Sequence, residues 1–247
     1  TLPIICFQYE FKIRNHKMSQ SLDDWLKRIT KESIPGIQLG LNRCRQLLGS
    51  LDCQNNTSLI VTVGGTNGKG SSVAMLEAIL LEYGYKVGTY TSPHIHKINE
   101  RIRSNGVEIS DQQLVHCFKK ISENQEANNL TFFEYITLAA LYFFSKQNLD
   151  IVILEVGLGG RLDAVNCVDA DIALISAVDI DHTEFLGDNR EQIGFAKAGI
   201  MRTGKHAVCS DNDIPSSIFQ HAKDNNVSLS VLGVDFYINN KKRELIL

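Results

Sequence analysis

From residue 58 onward, the chain alternates short apolar runs with segments of helical periodicity. The runs 59–63 and 151–156 are apolar at almost every position and rich in β-branched residues. A strand of this kind is buried on both faces, which is typical of a parallel sheet covered by helices on both sides. The pattern predicts an α/β fold, a three-layer sandwich around a mostly parallel sheet. The predicted strands are 59–63, 86–90, 151–156, 172–178 and 206–210, and the predicted helices are 72–82, 131–146, 190–200 and 216–223.

The ends of the chain suggest its domain organisation. Residues 1–17 are predicted to be an N-terminal extension, because Met18 would suit a natural start, and residues 18–247 a single domain without repeats or linkers. Residues 21–52 precede the first core strand and suit an amphipathic helix packed on that domain. The strand-like run 234–238 lies so near the end that we expect the domain to be truncated there.

Composition excludes several functional classes. The chain has 247 residues, 25 Lys+Arg and 28 Asp+Glu, a net charge of −3 that is too neutral for a nucleic-acid surface. Its longest apolar run, 135–144, is about half of the ~18 residues that a membrane span needs. The six cysteines form no C-x-x-C pair and are expected to be reduced thiols. These features predict a soluble cytoplasmic protein with neither nucleic acid nor membrane as a partner.

The segment GGTNGKGSS, residues 64–72, follows the first predicted strand and opens a helix. Its glycines let backbone N–H groups converge on phosphate oxygens, and Lys69 would neutralise their charge. The usual G-x-x-x-x-G-K-[ST] pattern is not met, because Val63 stands at its first glycine and Gly70 follows the lysine. The alternative is a glycine-rich turn with a solvated lysine. The order of strand, loop, lysine, hydroxyls and helix favours phosphate binding.

Polar residues also follow the other predicted strands. Ser92 comes after the second strand, Glu155 ends the third, and His182 comes after the fourth. Ligands of an open parallel sheet collect at the carboxyl ends of its strands, so these three side chains can converge beside the phosphate loop. A hydroxyl, a carboxylate and an imidazole could share one divalent cation with water and phosphate oxygens. Alternatively, Ser92 shapes a turn before Pro93, Glu155 pairs with a base, and His182 caps a helix.

Three further segments are candidates with plain alternatives. In the glycine-rich loop 157–163, Arg161 could stabilise phosphate charge and Asp163 could accept hydrogen bonds from a polar ring, or the two could simply pair. The first aromatic residues of helix 131–146 could lie against a flat ligand, or belong to the core. Taken from the bare sequence, Lys197 on its small-residue helix is expected to be a solvated side chain.

Together these motifs resemble the folylpolyglutamate synthase/dihydrofolate synthase family, a branch of the Mur-type ligases. The resemblance runs almost continuously from about residue 25 to residue 210. The matching stretches are GGTNGKGSS, GYKVGTYTSPHIHKINERIR (84–103), LTFFEY (130–135), LEVGLGGRLDAVN (154–166), DIDHTEFLG and FAKAGI.

The resemblance implies a role for each matching residue. ATP would bind to Thr66, Asn67, Gly68, Lys69, Gly70 and Ser71. Magnesium would be held by Ser92, Glu155 and His182. Lys197 matches a lysine that is carbamylated in this family and helps to hold a second metal. The resemblance also implies that Lys69, His182 and Lys197 are the catalytic residues. The implied pteroate-binding residues are Gln38, Leu39, Gly40, Leu41, Thr131, Phe132, Phe133, Glu134, Leu162, Asp163 and Ala164. The bifunctional bacterial branch typically has Asp where this chain has Gln38.

The implied activity is an ATP-dependent ligase, expected to be monomeric. It would join L-glutamate to dihydropteroate, or to the γ-carboxylate of reduced folates, through an acyl phosphate. In the family, a C-terminal Rossmann-like domain closes the cleft; this chain is expected to lack it and to ligate glutamate poorly. The alternatives are another Mur-type ligase, acting on a peptidoglycan precursor, and a non-catalytic nucleotide-binding module.

Overall fold

The computed structural model describes residues 20–51, 53, 58–239 and 244–246, so the predicted extension 1–17 lies outside the described residues. The helices are α1 (Leu22–Glu32), α2 (Asn42–Ser50), α3 (Lys69–Glu82), α4 (Asp111–Ser122), α5 (Phe132–Ser145), α6 (Thr183–Leu186), α7 (Arg190–Ala198) and α8 (Ser216–Asp224). The strands are β1 (Leu59–Gly64), β2 (Val87–Tyr90), β3 (Ile102–Ser104), β4 (Val107–Glu108), β5 (Ile151–Glu155), β6 (Ile172–Ile175), β7 (His206–Cys209), β8 (Ser228–Val231), β9 (Tyr237–Asn239) and β10 (Glu244–Ile246).

An eight-stranded sheet forms the middle layer, in the order β4-β3-β2-β5-β1-β6-β7-β8. From β2 to β8 all neighbouring strands are parallel, whereas β3 and β4 add an antiparallel edge. This confirms the predicted mostly parallel α/β sheet. The sequence did not reveal β3 and β4, because strands of three and two residues are too short to show a hydrophobic period.

Both faces of the sheet are covered, which explains the continuous apolar strands. Along β5, Ile153 belongs to a small cluster with Val61, Val63 and Val73 under α3. Its neighbours Val152 and Leu154 belong to the large core that includes α1, α4 and α5. Successive strand residues point to opposite faces, so every position of β5 can be apolar.

The register of the central strands brings their carboxyl ends to one edge. Val63 of β1 lies opposite Glu155 of β5, and Gly64 lies opposite Ile175 of β6. The loop that follows β1 therefore leaves the sheet between the ends of β5 and β6.

The helix predicted at 72–82 begins three residues earlier, at Lys69, because the loop that follows β1 leads directly into its first turn. Val73 of this helix is buried, whereas the apolar Ile79 is 54% exposed. Glu77 is buried instead and forms a 2.6 Å ion pair with Arg103. Ile79 is two residues further along, on the opposite side of the helix.

The segment 21–52 forms two helices rather than one. A capping box of Ser21 and Asp24 starts α1, which buries Trp25 and Ile29. The chain then leaves the helix, and Ile34 forms an isolated bridge to Thr131. No described helix is long and apolar enough to cross a membrane.

Candidate active site

The loop between β1 and α3 is held in one conformation by the segment after β6. Gly65 has a φ of 142°, and a Cβ at this position would lie 2.0 Å from Ser176 Oγ. Ser176 Oγ donates to the carbonyl of Asn67 over 2.6 Å. The hydroxyl of Thr66 accepts a 3.0 Å hydrogen bond from the N–H of Asp179. These contacts fix the loop at the N-terminus of α3, where backbone N–H groups can meet an anion.

Lys69 lies in the first turn of α3, at the mouth of this loop. Its Nζ donates to the carbonyl oxygens of Gly65 and Thr66, at 3.0 Å each. The ammonium group is therefore kept beside the loop, where it can neutralise a phosphate.

Two of the three predicted metal ligands are in direct contact. The backbone N–H of Ser92 donates to Glu155 Oε2 over 3.0 Å. Burial raises the pKa of Glu155, and the hydrogen bond and the charge of Lys69 oppose that rise. His182 lines the same cavity as Ser92 and Lys69.

The donor chemistry of this cluster suits a hard cation. It offers one carboxylate, one hydroxyl and one imidazole, so a six-coordinate ion would need water or phosphate oxygens as well. Over the ranges that the structure describes, no group of three or more His, Cys, Asp or Glu side chains could hold a metal by itself. The arrangement fits magnesium that arrives with a nucleotide better than a permanently closed metal site.

Lys197 is 2% exposed, so the interpretation from the bare sequence that it is solvated is wrong. The reason is that α7 packs closely on the loop 157–163, where the N–H of Arg161 donates to the carbonyl of Ala196 over 2.8 Å. Burial, with the charge of Lys69, lowers the pKa of Lys197 to about 8, and Asp181 opposes that shift. A substantial fraction of this amine is therefore neutral near pH 8.

A cavity of about 760 Å³ opens beside the phosphate loop. Most of the implied pteroate-binding residues line it, together with Lys69, Ser92 and His182. These residues are Gln38, Leu39, Thr131, Phe132, Phe133, Glu134, Leu162, Asp163 and Ala164. Gly40 and Leu41 are not in the lining, although the N–H of Gly40 donates to the carbonyl of Leu162 over 3.0 Å.

Asp163 is a buried carboxylate in the wall of this cavity. It accepts hydrogen bonds from the N–H groups of Leu158 and Val165, at 2.8 and 3.0 Å. Burial is the largest influence on its pKa, which it raises to about 6 against these hydrogen bonds. At neutral pH, Asp163 is therefore mostly ionised and can act as a hydrogen-bond acceptor in the cavity wall.

The aromatic wall of the cavity is Phe133. A Cβ on Gly157 would lie 2.6 Å from its ring, so the glycine allows the backbone to lie against the aromatic face. Beside it, the Glu134 carboxylate is 2.8 Å from Arg43, whose other hydrogen bond goes to the carbonyl of Gln38. Glu134 thus ties the segment before α2 to the start of α5.

Arg161 lies elsewhere. Its side chain is exposed, with the guanidinium 5.3 Å from the centre of the Phe195 ring, and it lines a separate surface pocket. Its suggested pairing with Asp163 is wrong, because that carboxylate is held by backbone N–H groups.

Arg101 also lines the cavity, although no motif in the sequence indicates a role for it. Arg101 stands inside the family-like stretch 84–103, but no local pattern distinguishes it from the nearby Arg103. Only the folded position separates the two arginines.

Residues 63–244 match the family model of the Mur ligase middle domain. The chain therefore belongs to the Mur ligase family, and the resemblance stated from the sequence is confirmed. Within that family, it is similar to dihydrofolate synthase/folylpolyglutamate synthase: it is 41% identical to the Escherichia coli protein over 223 residues, which are 90% of this chain and 53% of that protein. The Haemophilus influenzae protein is 44% identical over 207 residues, covering 84% and 47%.

Solved structures show the same likeness. The structure of E. coli FolC in complex with DHPP and ADP has a TM-score of 0.84 and 42% identity, covering 88% of this chain and 52% of that chain. A bifunctional folylpolyglutamate synthase/dihydrofolate synthase with Mn, AMPPNP and L-glutamate bound has a TM-score of 0.83 and 41% identity, covering 92% and 56%. The chain thus spans about half the length of these relatives.

Proposed function

We propose that this chain carries the phosphate-, metal- and pterin-binding surfaces of an ATP-dependent ligase. The enzyme joins L-glutamate to dihydropteroate, to the γ-carboxylate of reduced folates, or to both. One observation carries this proposal: Lys69 of the phosphate loop lines the same cavity as the aromatic wall of Phe133 and the buried carboxylate of Asp163. Bound nucleotide and a flat, polar-edged acid would therefore meet in one site.

The chemistry follows from the substrates. A carboxylate is a poor acyl donor, so its oxygen first attacks the γ-phosphorus of ATP, giving an acyl phosphate and ADP. The amine of glutamate then attacks the acyl carbon, phosphate leaves, and an amide with one released proton remains. In this chain, Lys69 neutralises the transferring phosphoryl group, Phe133 packs against the pterin, and Asp163 accepts hydrogen bonds from its ring N–H groups.

Magnesium would be held by Ser92, Glu155 and His182, where it would neutralise charge on the phosphate oxygens. We also propose that Lys197 is carbamylated. Its neutral amine would add carbon dioxide and lose a proton, which turns a buried cation into an anionic oxygen ligand. The lowered pKa of Lys197 and its burial support this reaction.

A cytoplasmic location and a monomeric state belong to the same proposal. Cys44, Cys117, Cys167 and Cys209 are buried thiols that form no disulfide, which suits a reducing compartment. Light scattering of the purified protein tests the monomeric state.

Calorimetric titration of the purified protein tests the substrate class. With magnesium and ADP present, dihydropteroate should bind, and a muramyl-peptide acid should not. Binding of the muramyl acid alone would identify another Mur-type ligase. Binding of ADP with neither acid would leave a nucleotide-binding module and overturn the proposal.

A second measurement addresses the intermediate. With ATP, magnesium and dihydropteroate present, hydroxylamine should replace glutamate as the attacking amine and yield a hydroxamate. Without dihydropteroate, hydroxamate formation should stop, and a lack of hydroxamate with all components present would contradict the acyl-phosphate route.

A further inference from the structure

Arg101 is a buried cation in the wall of the ligand cavity. It ends the short helical turn Ile98–Arg101 before β3, is 9% exposed, and lines the cavity with Lys69 and Asp163. Its Nε donates to His94 Nδ1 over 2.9 Å. In the part of the chain that the structure describes, no carboxylate oxygen lies within salt-bridge distance of its guanidinium group.

This lack of a carboxylate partner sets Arg101 apart from two other inward-facing arginines. Arg43 has the carboxylate of Glu134 at 2.8 Å, and Arg103 has that of Glu77 at 2.6 Å. Removing a cation from water is costly unless an anion compensates its charge. The charge of Arg101 also acts on the carboxylate of Glu155, but no carboxylate in the described chain pairs with it directly, so the guanidinium can still pair with an anion that enters the cavity.

The hydrogen bond to His94 holds the guanidinium in place through an imidazole nitrogen and not through a carboxylate. The imidazole accepts through Nδ1, so that nitrogen carries no proton and the guanidinium keeps its charge. It fixes one edge of the guanidinium through Nε. The guanidinium also interacts with the hydroxyl of Tyr90. It has five N–H donors, so others can serve a ligand, and a guanidinium fork matches the two oxygens of a carboxylate.

Two anions reach this cavity under the proposed function: the nucleotide phosphates and the carboxylate of the acid substrate. Lys69 and the loop that follows β1 already offer hydrogen-bond donors to the phosphates. Arg101 lies in the turn Ile98–Arg101, which leads into β3, and β3 is separated from β1 by β2 and β5. We propose that Arg101 binds the carboxylate of the acid substrate and thereby selects acids over uncharged analogues. This inference rests on the proposed function and adds a specificity-determining residue to it.

The test compares dihydropteroate with its carboxamide, which keeps the pterin and removes the negative charge. Binding of both is titrated calorimetrically to the wild type with magnesium and ADP present. The wild type should prefer the acid by about 10- to 100-fold, the range expected for charged hydrogen bonds. Arg101→Gln should lose affinity for the acid alone, so that this preference falls close to one. Arg101→Lys should keep part of it.

Arg28→Gln is the matched control, because it removes an exposed arginine on α1 that pairs with Glu32. It should keep the wild-type preference. The inference is overturned if the wild type binds acid and amide equally, or if Arg101→Gln keeps the preference. It is also overturned if Arg101→Gln weakens ADP binding more than acid binding, since the arginine would then serve the phosphates.

Two further results keep these outcomes separate. If the wild type binds neither the acid nor the amide, the proposed function itself fails and this inference fails with it. Thermal unfolding checks that each variant is folded. If Arg101→Gln does not fold, Arg101→Lys and the wild type still test the inference, because equal binding of acid and amide by the wild type overturns it.

Discussion

The backbone N–H of Ser92 donates a 3.0 Å hydrogen bond to Oε2 of Glu155, a residue 63 positions away in the chain. It joins the end of β2 to the end of β5 and orients the carboxylate at the edge of the sheet. A buried carboxylate whose position is fixed in this way, beside Lys69, suits a divalent cation that arrives with a nucleotide.

Replacing Glu155 with Gln keeps an acceptor for Ser92 and removes the negative charge. Because hard cations need anionic oxygen ligands, we expect magnesium to bind at least about tenfold more weakly in the presence of ADP. Glu82→Gln, at the exposed end of α3, is the control. Isothermal titration with magnesium measures both variants, and unchanged affinity in Glu155→Gln would remove this residue from the metal site.

Lys69→Ala should weaken ADP binding by about 10- to 100-fold, since a charged hydrogen-bond donor to phosphate is lost. It should also abolish phosphoryl transfer. Lys119→Ala, on the exposed face of α4, should bind ADP like the wild type. Full phosphate release by Lys69→Ala would refute the assignment of the phosphate loop.

Gly65→Ala should lower the free energy of unfolding by about 2–4 kcal/mol, because a positive φ is combined with a clash against Ser176. Gly84→Ala separates these causes: Gly84 has a φ of 85°, and a Cβ there would meet nothing within 4 Å. Its cost should stay at about 1–2 kcal/mol. Urea denaturation measures both, and adding Ser176→Ala to Gly65→Ala should recover part of the loss. No recovery would argue against the clash.

Asp163 predicts a pH dependence of stability. Its pKa rises from 3.8 in the unfolded chain to about 6 in the folded protein, so the folded state binds more protons between these values. The free energy of unfolding therefore falls by about 3 kcal/mol as pH rises through this window. The difference in stability between wild type and Asp163→Asn isolates this contribution. Equal slopes in the two proteins between pH 4 and about 6 would show that Asp163 is not responsible.

Bicarbonate should modify Lys197. About half of an amine with a pKa of about 8 is neutral at pH 8, whereas an ordinary lysine is almost fully protonated. Isotopically labelled bicarbonate should therefore give a carbamate signal in the NMR spectrum of the wild type. The signal should persist in Lys223→Met, an exposed control, and disappear in Lys197→Met. A wild-type spectrum without it would contradict the carbamylation.

The sequence predicted the buried centre of the fold well. Strands such as β1 and β5 are apolar on both faces, so their periodicity is visible without tertiary information. The rule that ligands collect at the carboxyl ends of parallel strands then brought Ser92 and His182 to the cavity that contains Lys69. Helix α4 was missed, although the capping box of Ser110 and Gln113 was a readable signal for its start.

Features that depend on long-range partners could not be predicted. Glu77 is buried because Arg103 lies on a neighbouring strand, and no local pattern in α3 indicates this pair. Burial of Lys197 depends on how closely α7 approaches the loop 157–163. Arg101 resembles any other charged residue until the fold places it against a ligand cavity.

The position of β1 also has a consequence for biosynthesis. Both of its neighbours in the sheet, β5 and β6, are translated long after it, and Ser176 follows β6. A nascent chain that ends at β2 contains the glycines of the loop 64–70 but lacks β5, β6 and Ser176, which contact β1 and this loop in the folded protein. Under the proposed function, cellular ATP can therefore favour the native state only late in translation, after the ribosome has released β6.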